Sequence, residues 1–449
     1  MSKSMIDAAL EKANDTKACV ISEGALADVA PLFFKYFENP VSAVVICDPR
    51  TLAAAGEKVE SLLKAAGVKV SRFVLEPGGK TFHADYFYVD QVRDAIASRA
   101  EDGCLPVPVS VGSGVINDLT KRASGELGVA YMSVATAASV DGYSSFGAAL
   151  RSPEGAKQTY ACPAPRVIVA DLDVMRTAPE WMAASGFADL MAKVPAGADW
   201  ILAYELGASV WHDSSWHTVQ DGLKDAIGDP EGVVAKKTEP LTRFVEGLML
   251  GGFAMQDMQS SRPASGAEHL FSHLLEMRDH TYKGEIVPHG IQVGVFTLFM
   301  CRVYEQILAF DYTKLDVEKC LDNWLTLEEA EKKGLEAFGS TKFPSLGVTS
   351  VRAKFVDRET TRRRLEDFRN RWPQIRERLA GQLIPSEEIK RRLKVVGAPA
   401  SPEAIGSTVE ATLADVRRTI YMRDRYMSLD FLALTGQLDE FAAKAASLN

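Results

Sequence analysis

The sequence predicts an α/β domain on a mostly parallel sheet, followed by an all-α region. Two observations predict it. Up to about residue 178, short Val- and Ile-rich runs alternate with helix-length stretches, the pattern of βαβ units. Beyond Pro179 the strand signals stop and long helical patterns take over. The candidate strands are 17–22, 42–47, 68–75, 105–111, 129–134 and 166–171, with helical stretches such as 51–66 and 88–99 between them. Pro106 and Pro108 fall inside one strand. Proline donates nothing to a ladder, so the regular part of that strand is expected to shrink to 109–111. The helical region offers 180–194, 241–258, 267–278, 289–310 and 409–427, with loops at 381–385 and 397–402. A boundary near Ala178-Pro179 gives expected domains of 1–178 and 179–449.

A chain of 449 residues exceeds the size at which one core stops growing, which agrees with two domains. The 51 Lys+Arg against 60 Asp+Glu leave a net charge of −9, which argues against a nucleic-acid or anionic-membrane partner. Six scattered cysteines, with no C-x-x-C pair, read as thiols in a reducing compartment. The first 17 residues carry charges and no apolar core, so a secretory signal is not expected. No apolar run approaches the ~20 residues of a membrane span. A cytoplasmic protein without a membrane span is the expectation. Residues 351–394 hold 14 basic and 7 acidic residues, and Leu365, Phe368, Trp372, Ile375 and Leu379 mark a helical stripe interrupted at Pro373. A solvated helical face is expected there, with an oligomer contact as the alternative.

Three constellations bear on chemistry. In the first, the strand ending at Val111 runs into Gly112-Ser-Gly114-Val115-Ile116-Asn117-Asp118 and a helix opens at once. Small residues let a backbone approach a phosphate, and first-turn N–H groups supply donors. The G-x-G-x-x-G fingerprint is not met, since Asn117 replaces its third glycine, and a ligand-free tight turn needs the same glycines. Asp48, at the end of the 42–47 strand, reads either as a ribose ligand or as a helix N-cap. In the second, Thr136-Ala137-Ala138-Ser139 with Asp141, Ser144 and Ser145 follows another strand, at the edge where open α/β sheets bind ligands. A plain polar loop is the other reading.

The third is the strongest. Four of seven histidines lie between 269 and 289, and His269 and His273 share one helix face. His289 opens a long apolar helix whose positive end disfavours protonation of the ring. Imidazoles beside a core stripe suit a divalent metal, although satisfied core histidines are commoner. Asp189, among Phe187, Leu190 and Met191, is a candidate third ligand, because a buried carboxylate needs a partner. Ser260-Ser-Arg262-Pro-Ala-Ser265-Gly266 precedes the His269 helix and reads as an anion site, or as a simple cap with a surface arginine.

Taken together, GSGVINDLTK, ATAASVDGYSS, GFADLMAK, SRPASGAEHLFSH and PHGIQVG resemble the sn-glycerol-1-phosphate dehydrogenases, in particular the bacterial arabinose-operon-type branch. That family groups with glycerol dehydrogenase and dehydroquinate synthase. The resemblance runs along essentially the whole chain, through RRRLEDFRNRW and Met422-Arg-Asp-Arg-Tyr426. It implies a metal-dependent alcohol dehydrogenase (dehydroquinate synthase-like) fold and NAD(H) or NADP(H). It also implies one divalent ion, nickel in the bacterial branch and zinc in the archaeal one, and a homodimer or larger assembly. The implied substrate is a phosphorylated triose, dihydroxyacetone phosphate, reduced to sn-glycerol 1-phosphate for phospholipid biosynthesis. By motif, Asp48 holds the adenosine ribose and Gly112 and Gly114 to Asp118 the pyrophosphate, while Thr136 to Ser139 and Ser145 line the nicotinamide. Asp189, His269 and His289 fall on the metal ligands, Asp189 also contacting substrate. Asp141 and His273 fall on the substrate-contacting catalytic positions. Apart from the resemblance, the turn 261–266 with Arg262 is the candidate for the substrate phosphate. Two departures stand out: the prolines in 105–111, and the stretch 209–239, which matches no motif. The rival activities are a polyol dehydrogenase and a dehydroquinate-synthase-like cyclase. Asp48 would repel a 2′-phosphate and Arg50 could offset it, which leaves the choice of dinucleotide open.

Overall fold

Strand β1 (Ala18–Ser22) begins a six-stranded parallel sheet that continues with β2 (Ser42–Cys47), β3 (Lys69–Val74), β4 (Val107–Gly112) and β5 (Met132–Ala135). A ribbon of β6 (Ala148–Arg151) and β7 (Lys157–Tyr160) follows, and β8 (Val167–Asp171) closes the sheet in the order β1-β8-β5-β4-β2-β3. The computed structural model describes residues 4–38, 42–76, 82–153 and 157–448. All six expected strands are present. The antiparallel ribbon was not expected, because four-residue strands give too short a pattern to read.

The alternation within the strands explains the sheet. Val45 and Cys47 of β2 face one core with Val109, Val111, Val134 and Val169. Val44 and Ile46 face the other with Val89, Val92, Ile116 and Leu119. Both faces are covered, so the strands read as continuous apolar runs. Strand β4 starts at Val107, earlier than expected. Pro108 pairs opposite Val44 of β2, whereas the ladder to β5 begins only at Val109 opposite Met132. The proline therefore sits where one neighbour has not yet started, and its missing N–H costs little.

The chain divides into two compact units. The first comprises Met1–Leu190, Ser214–Ser261 and Val395–Gly397; the second comprises Met191–Asp213, Arg262–Lys394 and Ala398–Asn449. The helical sequence after residue 178 is therefore shared out. The Thr238–Met258 helix belongs with the sheet, because Gly252 lets it approach closely: a Cβ there would stand 2.1 Å from Ser144 Oγ, and Ser144 donates to the Met249 carbonyl at 2.7 Å.

The second unit is helical apart from a short hairpin of β9 (Thr281–Tyr282) and β10 (Glu285–Ile286). The Arg358–Gln382 helix runs unbroken through Pro373, contrary to the expected interruption. Trp372 on its buried stripe packs edge-on to Tyr312 with ring centroids 4.8 Å apart, and this anchoring outweighs the hydrogen bond that proline removes. The basic segment is largely paired within the unit: Arg371 and Arg378 with Glu205, Arg362 with Glu318, and Arg391 and Arg392 with Glu388. A second difference matters for function. The expected 409–427 helix ends at Thr419, and residues 420–427 form an irregular segment before the Ser428–Thr435 helix. Among the described residues, only His289–Ala309 has the length and apolar content of a membrane span. Of its most apolar stretch, 83% is buried inside the protein, which identifies a core helix.

Candidate active site

In the first unit the dinucleotide motif stands where β4 passes into the Gly114–Leu127 helix. The glycines are needed by packing alone: a Cβ on Gly112 would lie 2.5 Å from Ile116 Cβ, and one on Gly114 would lie 2.9 Å from Val140 Cγ1. Ser113 at the N-cap makes no side-chain cap bond, so the first-turn N–H groups of Gly114, Val115 and Ile116 take no acceptor from it. That is the arrangement an anionic ligand completes. Asn117, at the position of the absent third glycine, has a structural job. It is fully buried, accepts from Tyr131 Oη at 3.1 Å and donates to the Gly142 carbonyl at 3.4 Å.

Lys121, one helical turn further on, is a residue the sequence reading passed over. It is fully buried and donates to the carbonyls of Gly142 (2.9 Å) and Gly147 (3.0 Å) and to Ser145 Oγ (3.3 Å). It also stands 3.4 Å from Asp118, whose other oxygen accepts from Ala149 N–H. Ser145 and Asp118 are thus fixed in place by one buried cation. Thr136 N–H donates to the Gly112 carbonyl, and the Ala137 carbonyl accepts from Tyr143. These bonds tie the Thr136–Ser139 loop to the glycine turn.

Asp48 is an N-cap: its Oδ1 accepts from the N–H groups of Arg50 and Thr51, and Thr51 returns a bond to Asp48 N–H. Oδ2 takes no part in the cap, so capping and ribose binding are compatible. Asp189 is buried on the Glu180–Met191 helix, and its Oδ2 accepts from Asp141 N–H at 3.2 Å. Gly186, one turn earlier, permits this: a Cβ there would stand 2.2 Å from the Ala138 carbonyl oxygen. The helix bearing Asp189 therefore lies flush against the Ala138–Ser139 backbone.

The second unit brings His269, His273 and His289 together, with ring centroids 5.4 to 6.3 Å apart. Their Nδ1 atoms have different partners. Nδ1 of His269 meets Glu268 Oε1 at 2.8 Å, and Nδ1 of His289 meets Glu276 Oε1 at 3.0 Å and Ser272 Oγ at 3.1 Å. A carboxylate on Nδ1 holds the proton there and makes Nε2 the lone-pair nitrogen, the tautomer a metal needs. His273 is the reverse. Its Nδ1 meets Arg423 Nη2 at 3.1 Å, and arginine only donates, so Nδ1 accepts and Nε2 carries the hydrogen. His269 and His289 thus present an Nε2 lone pair, and His273 an Nε2–H.

Glu268 and Glu276 were not singled out from sequence. Glu276 had a signal, being three residues after His273 and seven after His269 on the same face. Glu268 had none, because adjacent helical residues do not face each other. Buried Asp199 completes the unit: it accepts from Ala267 N–H at 2.7 Å, Tyr304 at 2.6 Å and Ser428 N–H at 2.9 Å, placing a carboxylate at the start of the Ala267–Met277 helix. Burial, and then the Glu268 charge, push its carboxyl above the usual range. Arg262 does not meet the expectation of an open guanidinium. It is 3% exposed, and its Nη2 and Nη1 donate to the carbonyls of Asp199 (3.1 Å) and Tyr426 (3.0 Å).

A parallel sheet of this order and a helical second unit are shared with known proteins. Residues 20–179 match the family model described as iron-containing alcohol dehydrogenase. Solved structures share the fold. They include an iron-containing alcohol dehydrogenase from Thermococcus thioreducens (TM-score 0.59, 15% identity, 97% of this chain and 99% of that one). Another is a probable glycerol dehydrogenase from Sinorhizobium meliloti (TM-score 0.58, 16% identity, 96% and 98%). Among curated proteins, the glycerol-1-phosphate dehydrogenase [NAD(P)+] of Bacillus licheniformis is 31% identical over 320 residues, 68% of this chain and 78% of the relative. That of Halalkalibacterium halodurans is 33% identical over 262 residues, 58% of this chain and 64% of the relative, a little under two thirds of its length. That of Geobacillus stearothermophilus is 28% identical over 408 residues, 90% and 89%. The chain belongs to the glycerol-1-phosphate dehydrogenase family.

Proposed function

We propose that this chain reduces dihydroxyacetone phosphate to sn-glycerol 1-phosphate, reversibly, with NADH or NADPH and one divalent metal ion. The observation that carries the reading is the match to relatives of that name over 78% of the Bacillus licheniformis protein. In this reading Asp189, His269 and His289 hold the ion, and nickel or zinc are the ions the family resemblance implies. The donor set fits: one buried carboxylate, and two imidazoles whose Nδ1 atoms are taken by glutamates. Bound there, the ion supplies Lewis acidity toward a substrate carbonyl, while the nicotinamide supplies the hydride.

The chain's own residues do the rest. Asp48 holds the adenosine ribose through Oδ2, and the backbone from Gly112 and Gly114 to Asp118 receives the pyrophosphate. The Thr136–Ser139 loop, fixed by Tyr143 and by the glycine turn, positions the nicotinamide, with Ser145 and Lys121 behind it. His273 presents its Nε2–H as a hydrogen-bond donor to the substrate oxygen that becomes the C2 hydroxyl, and solvent supplies the proton that completes that hydroxyl. Asp141 orients a substrate hydroxyl through its carboxylate and steadies Asp189 through its N–H. A cytoplasmic location and a homodimeric or larger assembly belong to the same reading.

The test is oxidation of NADH or NADPH by metal-loaded protein, with dihydroxyacetone phosphate beside dihydroxyacetone. Turnover of the phosphorylated substrate, with the sn-1 enantiomer as product, is the expected result. Turnover of the unphosphorylated polyol pair alone would make the chain a polyol dehydrogenase.

A further inference from the structure

Arg423 and Arg425, both partly buried, make no ion pair with a carboxylate among the described residues, unlike several other arginines of the second unit. Arg371 and Arg378 share Glu205, and Arg278 pairs with Asp415. Arg423 instead donates to the neutral Nδ1 of His273 at 3.1 Å, and Arg425 to Ser265 Oγ at 3.3 Å. Nε of Arg425 is buried with no hydrogen-bond partner. Burial, and then the nearby charges of Arg423 and Arg262, push the Arg425 guanidinium well below the usual arginine range. Clustered cations of this kind are costly unless an anion completes them.

The segment that bears them is held in place. It follows the unexpected end of the Val409–Thr419 helix, with Met422 and Met427 buried as anchors. Arg262 grips the Tyr426 carbonyl from within, Asp430 takes Met427 N–H at 2.9 Å, and Asp199 takes Ser428 N–H. Arg262 is therefore the support and not the ligand. Arg423 and Arg425 stand on alternate residues with exposed Asp424 between them.

Resting on the reading above, we infer that Arg425 and Arg423, with the Ser265 hydroxyl, bind the phosphate monoester end of the substrate. A planar guanidinium offers paired N–H donors that match phosphate oxygens, and Arg425 has such a donor unspent. Arg423 has a second consequence. The nitrogen it places on His273 Nδ1 fixes the tautomer that donates from Nε2, so the group that recognises phosphate also positions the hydrogen-bond donor.

The experiment is steady-state kinetics of the metal-loaded enzyme, together with inorganic phosphate as a competitive inhibitor against dihydroxyacetone phosphate. In Arg425→Gln, kcat/KM for the phosphorylated triose should fall, and the inhibition constant of phosphate should rise, each by roughly 30-fold, the size of one charged hydrogen bond. Arg425→Lys, which keeps charge and bulk but not the fork, should give a smaller loss in both and keeps the test open should the glutamine variant not fold. Either measure staying within about twofold of wild type in both variants overturns the proposal; so does lost activity with an unmoved phosphate constant, which marks a structural role. Wild-type enzyme inactive with dihydroxyacetone phosphate and either dinucleotide is a different failure, that of the functional reading itself.

Discussion

In the proposed reading the turn after β4 and the Ala267–Met277 helix each serve a charged ligand, by opposite means. The turn works by leaving side chains out: Gly112 and Gly114 have no room for a Cβ, and the donors are backbone N–H groups. The helical region works by burying charge: Glu268 and Asp199 are fully buried, Glu276 lies beside His289, Arg262 donates to the Asp199 carbonyl, Arg423 to His273 and Arg425 to Ser265. A site made of backbone tolerates change in everything but its small residues. A site made of buried charges depends on partners distant in sequence, and loss of one leaves another uncompensated.

The largest expected effect tests the charged region. His273→Gln should lower kcat by about 10²-fold or more, the usual worth of a donor held on a developing oxyanion, with metal content retained. Glu268→Gln removes the charge from His269 Nδ1 and should weaken metal affinity by about 10- to 100-fold, as read by competition with a chelating dye. The backbone site is tested by Gly112→Ala. Its methyl group would press on Ile116, so urea unfolding should show a loss of about 1–3 kcal/mol, with weaker NADH binding by fluorescence titration. The smallest effect separates the two duties of Asp48. Asp48→Ala should cost about 1 kcal/mol of stability as a lost cap, whereas Asp48→Asn keeps the cap and should weaken only dinucleotide binding. A stability loss of equal size in both would mean the carboxylate charge, and not the cap, matters for folding.

The same contrast explains what could be read in advance. The six parallel strands and the glycine turn were legible because their signals are local: apolar runs, two glycines and a helix start within a dozen residues. The candidate ligands Asp189, His269 and His289 were legible as polar residues set among apolar neighbours. Glu268 was invisible because it adjoins His269 in sequence but not by face. Arg423 was noticed only within a matching segment, and its role was hidden because its partner, His273, lies 150 residues away. Arg262 misled because a buried arginine serving two carbonyls and an open one serving an anion have the same sequence context. The end of the helix at Thr419 was missed because 420–427 continues an apolar-and-basic pattern, while Asp199, Asp430 and Arg262, from other elements, hold it irregular.

The central claim is that the partners of the Nδ1 atoms divide the histidines into two ligands and one donor. Calorimetric titration of metal-free protein with nickel or zinc tests it most directly. One ion per chain should bind the wild type and His273→Ala, and binding should be lost in Asp189→Ala, His269→Ala and His289→Ala. Loss of the ion in His273→Ala, or its retention in either His269→Ala or His289→Ala, would contradict the division.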